Sequence, residues 1–418
     1  MSNLEELIER LCPDGVEYKT IRDICKKIAS GGTPTASKSE YYNGYIPWLR
    51  TQEVDWKDIL DTEIKITELG YNNSSTKWIP KNCVIVAMYG ATAAKVAINK
   101  IPLTTNQACC NLEIDERIAE YKYVYYWLCK EYINLKSLGQ GSQHNINANI
   151  IKNYKLPVPP LEVQREIVRI LDNFTFLTTE LAAELAARQK QYEYYRDLLL
   201  TFKSNESTIL NELELSGAIR WMKLGELCDY VDYRGKTPKK VDQGIFLVTA
   251  KNVRMGFIDY EKSKEYISKD DYLEVMRRGL PKIGDLLITT EAPCGNVALV
   301  DREDIALAQR IIKYRPKREN VNRNFLKHYL LSKEFQDVLQ KNATGGIVKG
   351  IKGSKLHELN VPVPPLEVQQ RIVGILDRFD TLCNDISSGL PAEIEMRQKQ
   401  YEYYRDKLLT FKELKKEA

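Results

Sequence analysis

The chain has 418 residues, of which 43% are apolar and 28% are charged, so it can build roughly two to four folded domains and is not a disordered chain. The longest apolar run, Cys83–Met88, is far too short to span a bilayer, and no signal-peptide pattern follows Met1. Nine cysteines without a C-x-x-C pair, and only three histidines, argue against a disulfide scaffold and a zinc site. We therefore expect a cytoplasmic protein with reduced thiols, no metal and no membrane partner.

An internal duplication organises the chain. The ten residues RQKQYEYYRD occur at 188–197 and again at 397–406, and LPVPPLEVQREIVRILDNF from Leu156 is echoed by VPVPPLEVQQRIVGILDRF from Val361. Fainter matches continue upstream, where Thr33-Pro34 corresponds to Thr237-Pro238. The offsets drift only from 203 to 209 residues, so each half is a divergent globular segment followed by a strongly repeated one.

Four segments follow from this repeat: a globular domain with a short N-terminal helix at 1–160, a helical spacer at 161–203, a second globular domain at 204–365 and a helical region at 366–418. Lys and Arg exceed Asp and Glu by 3 over residues 13–160 and by 8 over 217–365, whereas the rest of the chain is acidic. The positive charge therefore lies in the divergent domains, where a polyanion could use it.

The repeated segments are predicted to be long helices. From Val163 to Leu199 the apolar positions follow a 4-3 heptad spacing with one slip, at ELAAELAA, Glu180–Ala187, so a rod of roughly 60 Å is expected over Leu161–Phe202. Ser387–Pro391 should break the second copy into two shorter helices or a kink. The predicted fold class is α+β: two β-rich globular domains separated by two long antiparallel coiled-coil helical regions, in a pseudo-two-fold tandem repeat.

The RQKQYEYYRD element combines two kinds of tyrosine. Tyr192, Tyr195, Tyr401 and Tyr404 fall on the predicted seam, whereas Tyr194 and Tyr403 point away from it. Two copies of one partner could bind this repeated exposed surface; alternatively, the tyrosines only fill the coiled-coil core. The candidate partner-binding residues are Gln189, Tyr194, Arg196, Gln398, Tyr403 and Arg405.

These motifs resemble the specificity subunit of a type I restriction-modification system over essentially the whole chain. The resemblance is carried by PPLEVQ before each rod, by the QYEYYRD ends, by GGTPT at 31–35 and by the ELAA repeat. It implies two target-recognition domains that bind double-stranded DNA, two modification subunits that carry S-adenosylmethionine and methylate adenine, and two restriction subunits. This chain would hold no cofactor and no catalytic residue, and each added ELAA unit would lengthen the rod by ~6 Å. The break in the second copy departs from exact two-fold equivalence.

Four classes of loop recur in both globular segments with different side chains, as expected for one scaffold that reads two unlike half-sites. They begin near GGTP, near IPWLRTQEV, between two strand-like runs, and just before each rod. The candidate DNA-binding residues are Gly32, Thr33, Arg50, Thr51, Gln52, Tyr89, Thr92, Gln140, Ser142, Gln143, Asn145, Arg234, Lys236, Lys251, Asn252, Arg254, Glu291, Asn296, Lys349 and Lys352.

Two alternative functions fit the sequence less well. The chain lacks the Asn/Asp-Pro-Pro-aromatic turn that an amino-methyltransferase of DNA needs, and a nuclease pattern can be drawn only loosely from Asp55, Glu63 and Lys65. A protein-binding coiled-coil adaptor explains the rods equally well but gives no reason for the basic globular segments. Steep salt dependence of binding to duplex DNA would favour DNA recognition over the adaptor.

Overall fold

The computed structural model describes residues 2–140, 145–202, 219–233, 238–346, 348–385 and 388–414. Its residues divide into two compact units. The first unit comprises Met1–Glu180 together with Ile394–Ala418, and the second comprises Leu181–Glu393. The last helical segment of the chain therefore packs with the first globular segment.

The first unit contains three sheets. A five-stranded sheet has the order β2-β10-β7-β8-β4, a four-stranded sheet has the order β5-β3-β9-β6, and β1 pairs with β11. The strands are β1 (Glu17–Thr20), β2 (Cys25–Ser30), β3 (Tyr42–Leu49), β4 (Asp58–Ile59), β5 (Ile64–Ile66), β6 (Trp78–Ile79), β7 (Val84–Ala87), β8 (Val96–Asn99), β9 (Leu103–Thr105), β10 (Cys109–Ile114) and β11 (Lys155–Val158).

Short helices cover these sheets. They are α1 (Ser2–Leu11), α2 (Glu68–Asn72), α3 (Tyr121–Lys130), α4 (Tyr132–Ser137) and α5 (Ala148–Asn153), with 3₁₀ turns at Ile21–Ile24, Ser39–Tyr41, Thr51–Glu53 and Gly90–Thr92. Every side chain of β7 and β8 is buried, because both faces of the five-stranded sheet are covered. One face packs in a core with α3, and the other packs on the four-stranded sheet.

The second unit repeats this plan. Its sheets have the orders β13-β20-β17-β18 and β14-β16-β15-β19, and β12 pairs with β21. The strands are β12 (Arg220–Lys223), β13 (Cys228–Asp232), β14 (Lys240–Val241), β15 (Ile245–Val248), β16 (Tyr266–Ile267), β17 (Leu286–Thr290), β18 (Cys294–Leu299), β19 (Ile305–Leu307), β20 (Ile311–Pro316) and β21 (Asn360–Val363). The helices are α7 (Leu224–Leu227), α8 (Tyr272–Val275), α9 (Arg323–Leu331), α10 (Lys333–Asn342) and α11 (Gly353–His357).

Strand pairing confirms the duplication. In the first unit β3 lies between antiparallel β5 and parallel β9; in the second β15 lies between antiparallel β16 and parallel β19. The two-stranded sheets β1–β11 and β12–β21 have matching antiparallel registers, and each leads directly into a Pro-Pro pair and a long helix. Among the described residues the sheets differ at their edges: the first unit has β4 beside β8 and β6 beside β9, whereas the second has β14 beside β16.

The long helices lie in the two repeated segments. Helix α6 (Leu161–Leu200) begins directly after Pro160 and continues without a break through the ELAA repeat. The second copy is divided into α12 (Leu366–Asn384) and α13 (Leu390–Leu408), as predicted. Gly389 is required between them, because an added Cβ would lie 2.5 Å from the carbonyl oxygen of Thr381.

The helices pair antiparallel within each unit. In the first unit the Phe174 ring stacks on Tyr404, with centroids 5.4 Å apart, and in the second unit Tyr195 stacks on Phe379 at 5.6 Å. The predicted seam is wrong at the start of α6. There Val163 and Ile167 are fully buried in the core of the first unit rather than in a coiled coil, because the globular segment covers the first turns of the helix.

A buried glutamine fixes the start of each long helix. The Gln164 amide oxygen accepts a hydrogen bond from the Glu120 backbone N–H at 2.8 Å, and its amide NH2 donates to the carbonyl oxygens of Ile118 and Pro159. Gln369 makes the same three bonds, to Asn322, Asn320 and Pro364. Both side chains are fully buried. The final residue of the repeated PPLEVQ motif therefore joins each long helix to the N-terminus of α3 or α9.

We expect Gln164→Ala to lower the free energy of unfolding by about 1–3 kcal/mol, because it leaves buried backbone groups of the α3 N-terminus without a partner. Gln369→Ala should have a similar effect in the second unit. Urea denaturation of the full chain measures both. Gln189→Ala, on the exposed surface of α6, is the matched control and should change stability by less than about 0.5 kcal/mol. Equal effects of the Gln164 and Gln189 substitutions would contradict the anchoring role.

Candidate nucleic-acid interface and partner surface

In the first unit the candidate loops gather around one turn, residues 106–108, which connects β9 to β10 and so joins the two larger sheets. The Asn106 N–H donates to the carbonyl oxygen of Leu49, next to the Arg50 loop, at 2.9 Å. The Ala108 carbonyl accepts from the N–H of Met88, next to Tyr89, at 2.8 Å. This turn, hereafter the central turn of the first unit, brings the loops after β3 and β7 together.

Side-chain bonds join the remaining loops to the same edge of the unit, which is called the rim below. The Thr92 hydroxyl donates to the Thr51 carbonyl oxygen at 2.8 Å, and the Asn145 amide oxygen accepts from the Gly90 N–H at 3.1 Å. On the other side, the Thr33 hydroxyl hydrogen-bonds to the Gln107 amide oxygen. All four loop classes of the first unit therefore meet on one rim.

The second unit builds the same rim around residues 308–310, its central turn. The Ala308 N–H donates to the Val248 carbonyl oxygen, and the Thr290 N–H donates to the Arg310 carbonyl oxygen, each at 2.9 Å. Gly350 bridges both Glu291 and Thr344, so the basic loop before the rod also reaches this rim. The two central turns thus make equivalent backbone hydrogen bonds, whereas the side chains around them differ.

The predicted residues of the first unit have unequal exposure. Gln52 and Gln140 are exposed, and Tyr89 is 44% exposed. The Arg50 guanidinium is half-buried and lies 3.1 Å from Glu63. Gly32 is buried, and an added Cβ would lie 2.4 Å from Ser75 Oγ. A larger residue would therefore clash with the neighbouring loop at this position.

In the second unit Lys251, Lys349 and Lys352 are exposed, and none has an acidic partner among the residues that the structure describes. Glu291 lies 3.5 Å from the Arg310 guanidinium. Arg254 is half-buried and donates its backbone N–H to Phe257.

The side-chain amides of two candidate asparagines form hydrogen bonds within the protein. Asn252 is fully buried: its amide oxygen accepts from Thr249, and its NH2 donates to the carbonyl oxygens of Asp259 and Ser263. Its side chain therefore shapes the loop and cannot reach a base in this conformation. The Asn296 NH2 donates to the Val253 carbonyl oxygen at 2.7 Å. Ser142, Gln143, Arg234 and Lys236 lie outside the described residues, so their predicted roles stay predictions.

Backbone bonds identify equivalent rim residues in the two units. Glu53 accepts from the Arg50 N–H as Asn252 accepts from the Thr249 N–H, so Gln52 corresponds to the exposed Lys251. Sequence reasoning missed the central turns, which carry Gln107, Gln309 and Arg310. The signal in the sequence was a pair of polar residues, one of them glutamine, that lies between two apolar runs in each half.

The loose nuclease pattern does not form a site. Asp55 lies 2.6 Å from Lys95, Glu63 lies 3.1 Å from Arg50, and Lys65 lies 3.0 Å from Asp61. Each member of the triplet therefore pairs with a residue outside it.

The repeated decapeptide has the same surroundings in both units. Tyr194 is 64% exposed and Tyr403 is 62% exposed, and each makes an edge contact with the next tyrosine. Arg196 packs over the Tyr192 ring and pairs with Asp197; Arg405 packs over Tyr401 and pairs with Asp406. Gln189 and Gln398 are exposed. The prediction that Tyr194 and Tyr403 point away from the helix pair is confirmed, whereas a purely core-filling role does not explain them.

The model of the Type I restriction modification DNA specificity domain matches this sequence twice, at residues 13–188 and 219–396. The chain belongs to this family. It is 37% identical to the Escherichia coli type I restriction enzyme EcoR124I/EcoR124II specificity subunit over 316 residues, which are 71% of this chain and 72% of the relative. It is 29% identical to the EcoprrI specificity subunit of E. coli, over 93% of this chain and 92% of the relative.

Solved structures share the fold. The type I restriction-modification system S subunit from M. genitalium matches with a TM-score of 0.54 and 16% identity, over 94% of this chain and 96% of that one. A chain from a structure on complex assembly and conformational transition of the type I R-M system matches with a TM-score of 0.59 and 19% identity, over 96% and 98%. Within the described residues, the helices of this specificity chain lack the combined length and apolarity needed to cross a membrane.

A second contact fixes each long helix beyond its buried glutamine. In the first unit Asp172 on α6 accepts from Lys122 and Tyr126 on α3, at 2.6 and 2.7 Å. In the second unit Asp377 on α12 accepts from Asn324 and bonds to His328 on α9, both at 2.8 Å. The two carboxylates occupy equivalent positions in the repeat, so each helix is held at two points along its length.

His328, Asp377 and Asp380 lie close enough together to resemble a metal site. The His328 Nε2 atom, however, bonds to Asp377, its Nδ1 atom bonds to the Tyr192 hydroxyl at 3.0 Å, and the Lys327 ammonium lies 2.6 Å from Asp380. These groups satisfy one another and already include a cation, so we assign the cluster to the joint between α6, α9 and α12. Burial lowers the pKa of His328 below its usual value, which keeps the imidazole neutral.

This joint makes stability depend on pH. Because the folded chain resists protonation of His328, its contribution is complete above the unfolded pKa of about 6.5 and is lost as the pH falls through that value toward the lower folded pKa. Urea denaturation between pH 7.5 and 5 should show a slope of at most about 1.4 kcal/mol per pH unit from this one group. His328→Gln should remove that part of the slope. An identical slope in this variant would contradict the assignment.

Proposed function

We propose that each globular unit reads one half of a bipartite DNA target, so that this chain is the sequence-specificity subunit of a type I restriction-modification complex. One observation carries the proposal: each unit gathers the loop after β3 or β15, the loop after β7 or β17 and the loop before its long helix around a central turn with matching backbone bonds, while the side chains that the rims present differ. A duplicated scaffold with divergent rims is what two unlike half-sites require.

The exposed rim residues divide into two chemical classes. Lys251, Lys349 and Lys352 supply positive charge suited to phosphate contacts, which hold the protein in register on a duplex. Gln52 and Gln140 offer amides suited to base edges. Among the described exposed residues, the lysines of the second rim therefore suit positioning, and the glutamines of the first rim suit readout.

The continuous helix α6 supports a role in setting the spacer between half-sites. It runs unbroken through Glu180–Ala187, so an added ELAA unit would lengthen the helix by ~6 Å and not merely enlarge a loop. We propose that catalysis belongs to partner subunits, with S-adenosylmethionine bound by two modification subunits that two restriction subunits join. The dispersed ion pairs of Asp55, Glu63 and Lys65 support this division.

The two exposed decapeptide surfaces are the proposed docking sites of the modification subunits. Their equal exposure and identical local contacts suit two copies of one partner. In the first unit, Gln398 and Arg405 also border a recess of about 1010 Å³ with aromatic walls, including Trp56 and Tyr125, which suits a protein segment. A protein-only adaptor gives no reason for the excess of Lys and Arg in the two globular segments.

Mapping of methylated sites in a host that carries the complete system should reveal one split motif. Exchange of residues 13–160 for those of a relative should change one half of the motif, and exchange of 217–365 should change the other, because each rim reads independently. The unmodified chain is the control. An unsplit motif, or a change in both halves from one exchange, would overturn the proposal.

We expect Tyr194→Ala and Tyr403→Ala each to reduce the number of bound modification subunits from two toward one, and the double variant to bind about none, because truncation removes an exposed aromatic anchor. Mass measurement of the purified complex checks the stoichiometry. Tyr45→Ala, at a tyrosine that is 67% exposed and lies outside both decapeptides and the recess that Gln398 and Arg405 border, is the control. Full assembly of the double variant would show that the partner binds elsewhere.

A further inference from the structure

The central turn lies in the middle of each rim. In the first unit it is bonded to the loop after β3 through Asn106 and to the loop after β7 through Ala108, and Gln107 between them bonds to Thr33 of the loop after β2. Gln107 is exposed. A duplex that touches loops on opposite sides of this turn would also face the turn itself, so the central turn is better placed than any single flanking loop to meet a base edge.

The two central turns share one residue and differ at the next. Gln107 and Gln309 occupy equivalent positions, because Asn106 and Ala308 make the same backbone bond to the strand beside them. The following residue is Ala108 in the first unit and Arg310 in the second. Ala108 is buried, whereas the Arg310 side chain is 54% exposed. The divergence that distinguishes the rims therefore includes an arginine at the centre of only one of them.

Arg310 has a defined setting. Its Nε atom lies 3.5 Å from the carboxylate of Glu291, which is itself 45% exposed, and its backbone carbonyl accepts from Thr290. It borders a recess of about 370 Å³ whose walls include Lys251 and Gln309. Because Glu291 contacts the Nε atom, the two outer guanidinium nitrogens of this exposed side chain can supply the parallel N–H donors that match the O6 and N7 acceptors of guanine in the major groove.

We propose that the central turn of each unit is a base-reading element, and that in the second unit Arg310 specifies a guanine while Glu291 positions its guanidinium. This inference rests on the proposed DNA-recognition function and adds the residues and the base. The Gln107 amide, held by Thr33, reads an adenine in the other half-site, because a side-chain amide pairs with N6 and N7 of adenine.

The test uses the assembled complex and a library of duplexes in which every position of both half-sites is varied. Arg310→Ala should lose about tenfold or more of the preference for guanine at one position of one half-site, with the other half-site unchanged. Gln107→Ala should relax an adenine in the opposite half-site. Lys251→Ala is the matched control on the same rim: loss of a phosphate contact should weaken all sequences about equally and reduce the salt dependence.

Two further variants separate positioning from packing. Glu291→Gln retains an oxygen acceptor and should keep most of the guanine preference, whereas Glu291→Ala should lose part of it without a matching loss of assembly. If Arg310→Ala fails to assemble, Arg310→Lys decides, since a single ammonium cannot make the two parallel bonds and should reduce the preference for guanine.

This inference is wrong if the unmodified complex binds a split motif and the base preferences of the Arg310→Ala variant are unchanged or uniformly weakened. That result would not contradict the proposed function. An unmodified complex without sequence preference would overturn the proposed function itself.

Discussion

The direction of each long helix relative to its own globular unit depends on two polar contacts, a fully buried glutamine and a partly exposed aspartate. Gln164 and Gln369 fix the first turn, and Asp172 and Asp377 fix a point about two turns further along. Two fixed points define the direction of a rod, whereas one would leave it free to tilt. Over the ~60 Å of α6, a tilt of a few degrees would displace the far end by several Å, about the size of a base-pair step.

This constraint explains which parts of the duplication stayed alike. A substitution of either buried glutamine leaves backbone groups unpaired, so PPLEVQ appears in both halves. The exposed positions of the rims are less constrained, because the backbone bonds of the central turns, which many side chains allow, join the loops there. Side chains on the rim can therefore change without loss of the fold, and Gln52 in one unit can stand where Lys251 stands in the other.

Sequence alone predicted the duplication, the start of α6 after Pro160 and the break near Gly389, because each has a local pattern of spacing, proline or glycine. It also predicted the loop classes of the rims. It could not predict that Asn252 is buried or that residues 106–108 join the loops, since those bonds connect strands far apart in the chain. The buried role of Gln164 was equally invisible, although its repetition in both halves was the available signal.

The same need for helices held in a fixed direction accounts for the difference between the continuous α6 and the divided α12–α13 pair. A helix that sets a distance must be continuous, because each added residue then contributes a fixed rise of ~1.5 Å. The antiparallel helices that pack against it must accept the new length without losing their own anchors. Helix α12 is bonded within the second unit through Gln369, whereas α13 from Ile394 onward belongs to the first unit. The break is therefore compatible with a variable spacer, whereas two continuous helices would have to change length together.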